Sequence, residues 1–471
     1  MDAMALWAST FGRPFVKREC CFSAVALVLA ALFPQTVLAQ VEEPAQSGGF
    51  LEETSVQTGI VVEGEGAARL KDGERQKAEV LVSPEMVLDF PNGARLTARV
   101  RGRADAFDEL EPGSPDQDTT SPATRRLRLS DNGDVELREL FFDYDIGPVF
   151  TRTGKQQVVW GQADGLKVLD VVNPQDFREF ILDDFEQSRI PLWTFRSETT
   201  VGGVTAQLIW IPDQTYHDFP QSDADFAFTA GQFVPEPAPG VNVVTRSPDR
   251  PSRVLEDSDV GFRISGFIDG WDLTANYLYH YVDTPVLFQS LATTPGGPTV
   301  TVTPRFERSH LVGGSFSKAF GDVVVRGEVA FSTDRYYVAD LQAESDGAVR
   351  TNEVSYVVGV DWYGLEDSLL SAQLFQSVLT EDSRGLVRDQ VDTTVTLLAR
   401  HEFSDSDLTA EVVWLTGLNR LDGLVRPRLS YQLRDDVDVW IGTDIFYGSA
   451  DGLFGQFDDY DRVVLGLKWS M

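Results

Sequence analysis

A chain of 471 residues with 73 acidic and 40 basic side chains carries a formal net charge of −33. Such a surface repels nucleic acid and excludes that class of partner. Aromatic residues make up 11% of the chain, more than a disordered acidic polymer carries, so the sequence has material to bury.

Lys17 and Arg18 precede an apolar run from Cys21 to Leu32, and Val37-Leu38-Ala39 follows. A basic flank, a short apolar core and a small terminal residue are the parts of a secretory signal peptide. The core is too short for a comfortable membrane-spanning helix, which needs about 20 residues. Residues 1–39 are therefore expected to be removed after Ala39, with 40–53 as a periplasmic segment ahead of the folded part, 54–471. Both cysteines, Cys20 and Cys21, lie in the leader. The mature chain then has no disulfide, thiolate metal site or cysteine nucleophile.

From about Glu53 onward the recurring pattern is alternation with period two. Tyr277, Tyr279 and Tyr281 share a face. Val323, Val325, Gly327, Val329 and Phe331 oppose Arg326, Glu328, Ser332 and Asp334. Val437, Val439, Ile441 and Ile445 oppose Asp438 and Asp444. Val463, Leu465, Leu467, Trp469 and Met471 oppose Val464, Gly466, Lys468 and Ser470. These runs have the length a tilted strand needs to cross a bilayer core, about ten residues. Short turn sequences follow every second run, at 91–93, 146–147, 202–203, 269–270, 321–322, 364–366, 404–406 and 434–436. Longer polar connections lie between them, at about 107–124, 158–191, 213–256, 285–301, 338–350, 380–389 and 449–456. Short turns at one end and long loops at the other mark a membrane barrel rather than a sandwich. The expected fold is all-β: a transmembrane antiparallel β-barrel of about 18 strands, with 16 as the smaller count. Its closure leaves no backbone edge unpaired in lipid. Residues 123–145 read as one bulged strand or two pieces, and the proline-rich 213–256 as an outer loop with little regular structure.

The connection 158–191 is the longest break in this pattern to carry its own signals. Asn173 is placed to cap a helix that begins at Pro174, with Asp176 in its first turn. Phe177, Phe180, Ile181 and Phe185 would line one face, with Glu179, Asp183 and Glu186 off it. Such a face has to be buried, and the inner wall of the barrel is the nearest surface. The sequence thus predicts an inward-folded constriction loop carrying a short helix, shaped by Trp160, Gly161, Asn173 and Pro174. Opposite it, Arg95, Arg99, Arg101 and Arg103 share one strand face. Four cations facing lipid would be prohibitive, so they are assigned to the lumen, with Arg126 and Arg128 as candidate additions to that face. With Asp176, Glu179, Asp183 and Asp184 on the loop, they would form an eyelet that selects polar or charged solutes. A salt-bridge network that only fixes the loop to the wall is the equally weighted and compatible reading.

The run GKQQVVWGQADGLKVLDVVNPQDFREF, followed by SRIPLW at 188–193, resembles the hallmark of an uncharacterised proteobacterial outer-membrane β-barrel family, a domain of unknown function distantly similar to alginate-export porins. The resemblance covers roughly 154–193 and implies an outer-membrane barrel without an agreed substrate. Such barrels generally end in an aromatic residue read by the assembly machinery; here the last residues are Trp469-Ser470-Met471, which weakens that signal.

An enzyme is not expected. The four histidines belong to no zinc-binding His-Glu-x-x-His, and no Gly-x-Ser-x-Gly is present. No metal site or cofactor is assigned. The expected function is an outer-membrane channel that passes a small solute by passive or facilitated diffusion. Outer-membrane lipid, lipopolysaccharide and the barrel-assembly machinery are its expected partners; the oligomeric state is left open. A closed barrel acting as receptor or scaffold, a transporter of hydrophobic substrates and, more remotely, a hydrolase are the alternatives.

Overall fold

The computed structural model describes residues 54–163, 165–235, 239–381, 385–403 and 406–471; the expected signal peptide and the 40–53 segment lie outside them. Eighteen strands, from Ser55–Arg69 to Arg462–Ser470, each pair antiparallel with the next. The first strand then pairs with the last, Val61 opposite Ser470 through Arg69 opposite Arg462, which closes the sheet into a barrel. Met471 extends this seam, since its N–H donates to the Ile60 carbonyl and its carbonyl accepts from the Ile60 N–H, both at 2.9 Å. The strands run from 8 to 16 residues.

Alternation now has a direction. On the last strand Leu465 is 63% exposed while Val464 is 5% exposed. The same outward set includes Phe262, Ile264, Tyr277, Val312, Val329, Leu397 and Ile441. An outer surface this apolar on every strand is a belt for lipid, because water would penalise it. The opposite faces carry buried Lys77, Glu79, Arg103, Glu328 and Asp444, and these point into the lumen.

The short turns fall where the alternation breaks, as at Gly202-Gly203 and Asp269-Gly270, whose positive φ angles allow two-residue reversals. Two further tight connections, 70–74 and 418–421, lie at the long-loop end and were not expected there. The 123–145 region is two pieces, Leu127–Ser130 and Gly133–Ile146. The 285–301 connection carries regular structure: Val286–Thr294 and Gly297–Arg305 pair as a hairpin outside the barrel sheet. Asn242–Thr245 adds to it in parallel, so 213–256 is also more ordered than its prolines suggest.

Candidate functional site in the barrel lumen

Residues 157–191 enter the lumen through a narrow neck. Asn173 makes that neck: its Oδ1 accepts from Val158 N at 2.7 Å, and its Nδ2 donates to the Ile190 carbonyl at 2.9 Å. The Pro174 carbonyl accepts from Ile190 N at 2.8 Å. These bonds explain a correction. No helix starts at Asn173, because its side chain joins the two ends of the loop instead of capping. The following N–H groups are also taken: Gln175 donates to His217 Nδ1 at 2.8 Å, Asp176 to Ser188 O at 2.7 Å and Phe177 to Asp218 O at 2.8 Å. Among the described residues of the loop the one α-helical turn is Phe185–Ser188.

The first half of the loop lies on one wall. Val158, Trp160, Val168, Leu169 and Val172 pack against inward residues such as Ile209, Leu278, Leu311 and Phe375. Trp160 is 1% exposed, and its indole N–H donates to Gln207 Oε1 at 2.6 Å. A Cβ at Gly161 would sit 2.8 Å from Asp170 N, so this close crossing of two backbones requires glycine. Glu328 on the Val323–Val338 strand accepts from the N–H groups of Gln162, Ala163 (3.0 Å) and Leu169 (3.0 Å). Burial of a lone carboxylate is offset here by backbone donors.

The second half reaches the opposite wall. Glu179 is 1% exposed and meets Lys77 Nζ at 2.6 Å, Arg462 Nη1 at 2.9 Å and Arg178 Nη2 at 3.1 Å. Lys77 lies on the second strand, half-way round the barrel from Glu328 on the eleventh. The loop therefore spans the lumen. The three cations hold the Glu179 carboxyl well below the usual range, against the opposing effect of burial. Neighbouring Asp183 behaves in the other direction: loss of water around the carboxyl on burial, then the Glu179 charge, push it up to about 7.

The phenylalanines do not share a face. Phe180 takes a positive φ of 55° and packs among Phe228, Phe446, Phe454 and Phe457. Left-handed backbone at a non-glycine residue costs about 1 kcal/mol or more, and this burial offsets it. Phe177 stacks on Phe219 from the 213–256 connection, and Phe185 lies under Lys167 Nζ at 4.5 Å. The 213–256 and 448–461 connections thus fold over the loop and join it in one aromatic cluster.

The arginine face is present, but most of its charge is spent within the wall. Arg95 pairs with Asp89 at 2.5 Å. Arg101 pairs with Glu136 at 2.7 Å. Arg103 pairs with Asp134 at 2.5 Å and Glu111 at 2.6 Å. Arg126 and Arg128 also reach Glu111, at 2.7 and 2.5 Å. Arg99 pairs with Glu85 and, at 3.4 Å, Glu139 of the wall, and among the described residues it alone of these arginines pairs with an acid of the loop, Glu186, at 3.1 Å; Arg101 approaches the loop at Gln187. Of the acids expected to oppose them, Asp176 accepts from Arg178 N at 3.0 Å, and Asp183 and Asp184 make no ion pair among the described residues. Sequence reading missed Lys77, Arg178, Arg426 and Arg462, which hold Glu179 and Asp444. It also missed Arg138, whose Nη2 donates to the carbonyls of Glu186 (2.6 Å) and Gln187 (2.9 Å) at the end of the helical turn. Strand parity placed Lys468 and Asp444 opposite the apolar face, and extended to Lys77 and Arg462 it would have found them.

Beside and below the loop, toward the short-turn end, lies a cavity of about 330 Å³. Loop residues Asp176, Asp183 and Asp184 border it, as do Trp440, Arg428 and Lys468 of the wall.

A family model described as a protein of unknown function, DUF1302, matches residues 82–414. The chain belongs to the DUF1302 family. The match includes the 154–193 run and ends short of the last three strands. No curated protein matches the chain. Among solved structures it is similar to Pseudomonas aeruginosa OpdK with vanillate, with a TM-score of 0.51, 11% identity and coverage of 90% of this chain and 100% of that one. It is likewise similar to the outer membrane protein OpdK from the same organism, with a TM-score of 0.50, 11% identity and coverage of 88% and 99%. Acinetobacter baumannii OccAB3 has a TM-score of 0.50, 8% identity and coverage of 88% and 99%. At these identities the likeness is one of fold: this family member is a closed barrel of the outer-membrane porin type.

Proposed function

We propose that the protein is an outer-membrane channel that passes small polar solutes by passive or facilitated diffusion, with loop 158–191 as its constriction. The observation that carries this reading is a closed barrel with an apolar exterior, a charged interior and a loop spanning that interior from wall to wall. The short-turn end is then periplasmic, the long loops face outward, and the leader is cleaved after Ala39. Lipid and lipopolysaccharide surround the belt, and the barrel-assembly machinery inserts it. The eyelet differs from the one expected: Arg99 is its exposed basic member, while Arg101 and Arg103 serve mainly as wall. No catalytic role is assigned, since the candidate acids are engaged with arginines or border the lumen without a nucleophile beside them.

The purified protein in a planar bilayer is expected to give discrete conductance steps. A protein that inserts and never conducts would favour the second reading, a closed receptor or scaffold, to which the aromatic cluster over the loop lends support.

A further inference from the structure

The cavity beside the loop has a charge arrangement that the constriction alone does not require. Six of the cations along it are committed: Lys77, Arg101, Arg103, Arg178, Arg426 and Arg462 each hold at least one carboxylate within 3 Å. Arg428 and Lys468 make no ion pair or hydrogen bond among the described residues. They sit on the wall strands Asp422–Arg434 and Arg462–Ser470. Five carboxylates on the same cavity are equally without an ion pair among the described residues: Asp176, Asp183 and Asp184 on the loop, Glu63 and Asp438 on the wall. Lys468 lies in register between the last two, opposite Glu63 on one side and Asp438 on the other.

The wall between these groups is shaped for contact. The Trp440 indole lies flat over Gly466, where an added Cβ would come within 2.1 Å of its ring. Its N–H donates to Glu65 Oε2 at 3.2 Å, and the Arg428 guanidinium lies 5.4 Å from the ring centroid. The indole is thus fixed against the wall as an apolar strip, with unpaired cations on the wall and unpaired carboxylates facing them from the loop.

We infer that this cavity is a subsite for a small amphoteric solute, one that carries an ammonium and a carboxylate a few methylenes apart. The inference rests on the channel reading and names its solute class. A dianion entering here would meet the carboxylates of Asp176, Asp184, Glu63 and Asp438 and, above about pH 7, that of Asp183. A dication would meet the repulsion of Arg428 and Lys468. A solute with both signs neutralises both sets at once, so each end recovers in the lumen what it loses on leaving water. The cavity, at the small end of the range for ligand sites, suits a molecule of amino-acid size.

Three probes of equal length separate the possibilities: 5-aminopentanoate, 1,5-diaminopentane and glutarate. Their uptake into proteoliposomes of the full barrel, in symmetrical KCl, is measured by mass spectrometry. 5-Aminopentanoate is expected to enter about fivefold faster than either, the effect of roughly one partly exposed ion pair. The double variant Arg428→Gln/Lys468→Gln should move the preference to the diamine, and Asp183→Asn/Asp184→Asn should move it toward glutarate. None of these four side chains holds another residue by an ion pair, so the barrel is expected to assemble. Equal entry of all three probes, or a preference that neither double variant changes, overturns the inference while leaving the channel intact. Failure of all three probes and of glycerol to enter overturns the channel reading itself.

Discussion

Replacing Glu179 by Gln tests whether the loop is held against the far wall by charge. The carboxylate accepts from Lys77, Arg462 and Arg178 at 2.6, 2.9 and 3.1 Å. Removing one member of a buried ionic cluster costs about 3 to 5 kcal/mol. Here each cation keeps another partner: Lys77 keeps Glu65 at 2.9 Å, Arg462 keeps Asp444 at 2.7 Å and Arg178 keeps Glu79 at 2.6 Å. The loss therefore falls at the low end, about 3 kcal/mol, which is roughly a 150-fold shift in the ratio of docked to undocked loop. Single-channel recordings of Glu179→Gln should show excursions to a larger conductance that are rare or absent in the parent. The heat-modified gel shift of the folded barrel should change little, because the seam and strand ladder are untouched. An unchanged dwell-time distribution and conductance would refute the reasoning and leave the aromatic cluster and the neck as the whole of the attachment.

Two further outcomes follow from the lumen charges. Arg99→Ala should shift ion selectivity toward cations, measured as reversal potential in a salt gradient, and more strongly than Arg101→Ala. Both charges are paired, Arg101 with Glu136 at 2.7 Å and Arg99 with Glu85, Glu139 and Glu186, but the Arg99 side chain is 31% exposed against 8% for Arg101, so its field reaches the water of the lumen. The second outcome concerns pH. Asp183 is pushed up to about 7, from an unfolded value near 3.9. The folded protein thus keeps a proton that the unfolded chain has lost, so the contribution to loop seating is full in acid and is lost as pH rises through about 7. Cation preference should rise over the same interval, and Asp183→Asn should flatten that rise. Glu179→Gln should move it to lower pH, since the Glu179 charge is one cause of the shift.

Period-two alternation carried the barrel from sequence to structure. Runs such as 463–471 state which side chains meet lipid, and the two lengths of connection state which end is which. The Asn173 helix was misread because its cap signal is local, whereas the partners that claim its side chain and the next N–H groups come from Val158, Ile190, His217 and Asp218. The arginine face reads in the sequence as a row of available cations, whereas each of its members is paired with a carboxylate. Nothing near Arg101 or Arg103 in the chain announces that Glu136 and Asp134, on the neighbouring strand, stand opposite them in register. The 285–301 hairpin escaped notice because it forms outside the barrel sheet, with Asn242–Thr245 from a distant part of the chain as its third strand.

The seam joins residues near position 65 to residues near position 465. Every other neighbouring strand pair can zip locally, but this one must wait for the far end of the polypeptide to arrive. Until then the growing sheet carries two raw margins, each able to recruit a stranger. Closure therefore depends on the last segment of the chain, and lesions in the final strand should be felt as a failure to close rather than as altered traffic through the lumen.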